Sequence, residues 1–161
     1  MTGQWAVAAA SVVGRAHARG GMSNQDNFAV VQAGNASVVA VADGASNAGR
    51  AAVASSMAVA VATAVIAERL RGALPGDAIR WHRFSARAAG AMTRCYRRRV
   101  GRLRRAFSGT WQDFATTLTV VIVAEPWCIA IVIGDGFVVT RAGRDRFGLL
   151  VPPAPARRAT G

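Results

Sequence analysis

Apolar positions recur along this chain with two periods. Short runs near the N-terminus and across the last third have the spacing of strands, and two long stretches between them have the spacing of helices. Residues 4–13 are apolar and read as a first strand, followed by a polar, Gly-rich loop over 14–24. Residues 28–32 and 37–42 predict two strands joined by a turn at Gly34-Asn35. The second is a continuous run of small apolar residues, as expected of a strand covered on both faces. Ser46 and Asn47 can cap a helix beginning near Ala48, because their side-chain oxygens accept free N–H groups of a first turn. That helix is expected to reach about Arg71, with Val53, Met57, Val61 and Val65 as its buried stripe.

Residues 72–76, with Pro75, break the pattern. A second helix is predicted over 77–106, interrupted near Gly90. Met92, Cys95, Tyr96, Leu103 and Phe107 share one of its faces, and most of its arginines fall elsewhere. Strands over 114–124, 127–133, 137–141 and 146–151 then form a meander, with a turn at Pro126. Strands, two helices and then hairpin-linked strands indicate an α+β layered sandwich, not a doubly wound parallel sheet.

A chain of 161 residues is about one domain. It can bury roughly 70% of its unfolded surface, and 52% hydrophobic residues argue against disorder. Cys95 and Cys128 form no close pair and no metal-type spacing, so two buried thiols in a reducing compartment are expected. Residues 51–67 carry no charge, but they are mostly Ala, Val and Ser and short for a span. A packed core helix is the reading, and no membrane partner is expected. Residues 1–10 lack the basic start of a signal peptide, so a cytoplasmic location is expected.

Charge changes the picture more. The net charge is +12, and all twenty basic residues are arginine. The abundance of Ala, Gly and Val beside them fits a general compositional bias, although the field would still attract anionic substrates. Seven arginines lie between Arg94 and Arg105. They read as the solvated face of a helix or as a patch for phosphate or nucleic acid. No aromatic interleaving supports the patch, so no nucleic-acid partner is expected.

Against that background only eight residues are acidic. Asp26, Asp43 and Asp135 sit at the ends of predicted strands. Each has a plain local reading. Asp43-Gly44 suits a strand-to-helix turn, Gly134-Asp135-Gly136 a hairpin, and Asn24-Gln25-Asp26-Asn27 an Asx-type turn. Together, a layered sheet could bring all three to one edge, where they would repel unless a cation sat between them. Oxygen donors are what Mg²⁺ and Mn²⁺ take. His17, in the Gly-rich loop, reads as a loop hydrogen bond or as a proton-transfer residue. His82 reads as a helix-surface residue and Asp145 as part of a solvated turn.

The motifs also occur in a telling order. They are Gly14-Arg15-Ala16-His17, Gly21-Met22-Ser23-Asn24-Gln25-Asp26, Val41-Ala42-Asp43-Gly44-Ala45-Ser46, Phe114-Ala115-Thr116-Thr117-Leu118 and Ile133-Gly134-Asp135-Gly136. This series resembles the metal-dependent protein phosphatases of type 2C, and most of all their bacterial branch. The resemblance implies an α-β-β-α layered sandwich over residues 1–151, followed by a Pro/Ala/Arg tail over 152–161. It also implies two or three Mn²⁺ or Mg²⁺ ions at one edge of the β-layers. Asp43 would bridge two ions, Gly44 would offer its carbonyl, Asp26 would bind metal or its water, and Asp135 would match the third, weaker site.

His17 is then the catalytic candidate. The Arg that holds substrate phosphate in the family falls five residues before Asp26. Gly21 stands there, and Arg19 is the nearest candidate. Ala45 stands where eukaryotic members carry a His. Two later Asp motifs of the family have no counterpart, so the fold is expected to be incomplete at its C-terminus. The implied function is hydrolysis of phosphoserine or phosphothreonine in a phosphoprotein by a metal-activated water. The alternatives are a catalytically incomplete phosphatase-like fragment or interaction module, and a basic nucleic-acid-binding domain.

Overall fold

Two eight-residue strands, β1 (Asp26–Ala33) and β2 (Ala36–Asp43), pair antiparallel along their whole length. Gly34 makes the tight connection possible, since its φ of 58° lies where a side chain is disfavoured. β3 (Leu118–Ala124) adds to β2, and β4 (Trp127–Ile133) adds to β3 through the two-residue turn Glu125-Pro126. The result is a four-stranded antiparallel sheet in the order β1-β2-β3-β4. The computed structural model describes residues 5–45 and 48–152. The expected tail over 152–161 lies, beyond Pro152, outside the described residues.

Two helices cover one face of this sheet. α2 (Ala51–Leu70) and α3 (Ala78–Ala106) enclose a core that includes Val38, Ala40, Ile66, Trp81, Met92, Val120 and Ile122. Asp77 caps α3 by accepting the Arg80 N–H at 2.7 Å, and the helix continues through Gly90 without interruption. α2 passes the length and apolarity test for a membrane span, but its buried face lies in this core.

Several expectations need correction. The stripe of α2 is not centred on Val53, which is 48% exposed. Val61 of that stripe is buried and Met57 and Val65 pack against the core, but the deepest line is Ala54, Ala58, Ala62, Ile66 and Leu70. These recur every four residues, so they share a face, and small side chains let the helix approach the sheet closely. α2 starts at Ala51 behind Arg50, which makes no side-chain cap bond; the expected caps Ser46 and Asn47 lie outside the described residues. Phe107 is 56% exposed, beyond the end of α3.

Residues 5–14 form no strand. Ala8 to Val12 line a depression with Phe28, Val39 and Val41 on the sheet's second face, where they stay exposed and join no ladder. The Gly-rich loop contains one helical turn, α1 (Arg15–Arg19). Phe114 ends a short 3-10 turn (Gln112–Phe114) and precedes β3. Neither thiol is buried: Cys95 is half-buried and Cys128 exposed.

The last strands also depart from the expected meander. β5 (Val138–Ala142) and β6 (Arg146–Val151) pair only with each other, as a separate two-stranded sheet. The molecule is thus an α+β protein with antiparallel sheets. Among the described residues it has one helical layer, one four-stranded sheet and one added hairpin.

Candidate metal centre

Register decides where the acidic residues fall. Asp26 opens β1 and Asp43 closes β2, and the two are cross-strand partners. Their side chains share the sheet face opposite the helices, with Phe28 and Val41 as the next pair inward. Directly opposed residues have Cβ atoms about 5 Å apart, and like charges there are unfavourable.

Asp43 is held by a chain segment far away in sequence. Its carbonyl accepts from Thr117 N–H at 2.9 Å and from the Thr116 hydroxyl at 2.8 Å. Its own N–H donates to Thr117 Oγ1 at 3.1 Å. Asp26 is fixed more locally: its N–H donates to Asn24 Oδ1 at 3.1 Å. Asn24 Nδ2 in turn donates to Ser11 Oγ at 2.6 Å. The Asx-type turn expected here is therefore present, and it fixes the backbone of Asp26.

Gly44 has a packing reason to be glycine. A Cβ there would lie 2.5 Å from the Ala51 carbonyl oxygen, at the first residue of α2. The Gly44 N–H donates to the Gln25 carbonyl at 3.2 Å, linking the two acidic motifs. Gly44 also bridges Thr116, which continues the β2–β3 contact past Asp43.

Asp135 does not sit in a hairpin, as the Asp-Gly signal suggested. β4 ends at Ile133 and β5 pairs elsewhere, so 134–136 is the crossing from one sheet to the other. Gly134 has a φ of 105° and backs onto Thr117; Gly136 backs onto Thr119. The crossing therefore runs beside the threonines that hold Asp43.

The electrostatics record the same convergence. The Asp43 carboxyl is pushed above its ordinary value of 3.8, first by burial, then by its hydrogen bond to Asp26 and by the charges of Asp26 and Asp135. Among the described residues, however, no three His, Cys, Asp or Glu side chains close into a metal cage. The two observations agree once reach is considered, since charge acts over longer distances than coordination. Asp26 and Asp43 face each other across the strand pair, and Asp135 contributes its field. The donor set is all oxygen and its repulsion would be relieved by a hard divalent cation, so residues and group fit.

A family model described as protein phosphatase 2C matches residues 13–158. The chain belongs to the protein phosphatase 2C family. Members of this family are metal-dependent enzymes acting on phosphoproteins. No curated protein and no solved structure resembles the chain at a significant level.

His17 and Arg19 lie on α1, His17 half-buried and Arg19 exposed. Among the described residues neither side chain hydrogen-bonds or ion-pairs with the three aspartates. Two contributors escaped individual attention in the sequence. Thr116 and Thr117 stood inside a family-like motif, but only the structure shows them gripping Asp43. A pair of hydroxyls just before an apolar strand was the available signal. Arg50 was also passed over: its N–H donates to the Asp113 carbonyl at 3.0 Å, and its guanidinium lies over Phe107 and Phe114. Tyr96, whose hydroxyl donates to the Phe114 carbonyl at 2.7 Å, holds that same loop to α3. Burial pushes the Tyr96 pKa up to about 12, so it remains a donor.

Proposed function

We propose that this chain hydrolyses phosphoserine and phosphothreonine in proteins with the help of Mn²⁺ or Mg²⁺. The observation that carries the proposal is the cross-strand pair Asp26–Asp43, with the Asp135 charge beside it, in a chain of the 2C family. Asp43 would bridge two ions, Asp26 would hold metal or metal-associated water, and the Gly44 carbonyl would be a further ligand. Asp135 would serve a third, weaker ion. When bound, such ions lower the pKa of an attacking water and neutralise phosphoryl oxygens.

The chain's own residues do the remaining work. Thr116 and Thr117 fix the Asp43 backbone, and Asn24 fixes Asp26. Arg19 is proposed to meet the substrate phosphate and His17 to assist proton transfer. Purified protein should hydrolyse p-nitrophenyl phosphate when Mn²⁺ is added. Asp43→Asn should remove most of that hydrolysis without unfolding the chain. Equal turnover in the variant, or in EDTA, would remove the proposal.

A second reading is favoured by the incomplete donor set among the described residues. On this reading the domain keeps the family fold and serves as an interaction module. Calorimetric titration separates the two: micromolar Mn²⁺ binding supports the hydrolase, and absence of binding supports the module.

A further inference from the structure

The C-terminal half of α3 carries a charge that no acid balances among the described residues. Seven arginines fall between Arg94 and Arg105, over about 17 Å of helix. Among the described residues the only ion pairs are Arg71–Glu68 and Arg80–Asp77, so none of the seven is paired with an acid.

The patch also contains the aromatic residue that sequence spacing did not offer. Gly101 leaves a notch in the helix, and a Cβ there would touch the Trp111 ring at 3.8 Å. The ring therefore seats on the notch after the chain turns back from α3. Arg97 and Arg104, on either side of Gly101, place their guanidinium carbons 5.6 and 5.0 Å from the ring centroid. Cation–π contact restrains both side chains. Restraint lowers the entropy lost when those guanidinium groups grip an anion. The Arg104 Nε is buried without an acceptor among the described residues, an unmet donor within this cluster.

Two depressions flank this ridge and share Arg98 and Arg102. One, of about 570 Å³, is lined by arginines and Trp111. The other, of about 230 Å³, has an apolar side made by Val61, Ala64 and Val65 of α2. Charge alone would suit any polyanion. The adjoining apolar pocket suits an apolar side chain between acidic ones, which a peptide has and a sugar-phosphate backbone lacks. The Trp111 ring, already engaged by arginines, is also poorly available for stacking with a base.

We propose that this surface docks an acidic, apolar-anchored segment of the phosphoprotein substrate. The identity of the partner as a substrate rests on the phosphatase reading; the docking itself does not. The segment after Trp111 leads through Phe114 into Thr116 and Thr117, which grip Asp43. One short stretch of chain thus joins the ridge to the residues that hold Asp43. Guanidinium groups suit this task because they bind carboxylate or phosphate in forked geometry.

The test uses the full chain and a fluorescein-labelled peptide of glutamates around one leucine, followed by anisotropy. Binding should weaken as salt rises. It should fall about tenfold or more in Arg98→Glu/Arg102→Glu, which alters two exposed side chains. Trp111→Ala, which leaves the charge unchanged, should weaken binding several-fold. Asp43→Asn should leave it intact.

Hydrolysis of p-nitrophenyl phosphate by Arg98→Glu/Arg102→Glu should match that of the parent, so failure of the catalytic reading is seen separately. Peptide binding that ignores the arginine substitutions would overturn the proposal, as would binding lost in Asp43→Asn. Tighter binding of an oligonucleotide of equal length than of the peptide would overturn it in favour of nucleic acid. Retention of the peptide's grip without its leucine would remove the apolar anchor.

Discussion

The two faces of the four-stranded sheet are built from nearly the same residue types and behave in opposite ways. On the helix-covered face, Val38, Ala40, Val120 and Ile122 are fully buried. On the other face, Val41 is 49% exposed although it neighbours Ala40 and Ala42 in one strand. The covered face maintains the fold. The second face ends in Asp26 and Asp43, which water can still reach. Small apolar composition alone did not distinguish them; the alternation of β2, anchored by the alanine ladder of α2, did.

The largest effect should come from the polar end of the second face. Asp43→Asn should lower Mn²⁺-dependent turnover of p-nitrophenyl phosphate by about 10²–10³-fold, since metal stabilisation of phosphoryl charge is worth several kcal/mol. Circular dichroism should show an unchanged fold. On the covered face, Ile122→Ala should cost about 2–5 kcal/mol of stability in denaturant titration, because it leaves a cavity in a closed core. Gly44→Ala joins the two faces: the new methyl meets the Ala51 backbone, and a loss of about 1–3 kcal/mol is expected.

The next effect concerns pH. Asp43 in the fold holds its proton above the unfolded value of 3.8. Its stabilising contribution is complete below that value and is lost as pH rises through the folded one. A cation competes with that proton, so calorimetry at increasing pH from about 4 should show Mn²⁺ binding strengthen. Asp43→Asn should erase the trend. Smallest of all, Val41→Thr should change stability by only about 0.5 kcal/mol, as for exposed surface sites. A cost as large as that of Ile122→Ala would mean that the second face is covered in solution.

Much of this was legible in the chain. The hairpin β1–β2 followed from two apolar runs around Gly34-Asn35, and Asp77 announced the start of α3. The pairing of Asp26 with Asp43 needed register, which pattern alone did not supply. The burial of Ala54, Ala58 and Ala62 was missed because a hydrophobic stripe was sought among the larger valines. The apolar 5–14 segment misled as well: it runs exposed along the second face without joining a ladder. The local hairpin reading of Asp135, set beside its metal-site reading, came from the usual behaviour of Asp-Gly. The decision to cross to another sheet lies in tertiary pairing that no dipeptide encodes.

The threonine grip on Asp43 also carries a consequence in time. Thr116 and Thr117 reach Asp43 across 73 and 74 residues of chain. A contact of that separation forms late, after the intervening helices have paid for loop closure. During synthesis, which proceeds from the N-terminus, β1 and β2 emerge well before the residues that steady their acidic ends. The nascent hairpin therefore presents Asp43 without the threonine contacts that hold it. The ordered acidic edge would arrive with the docking of β3, as a late event in folding.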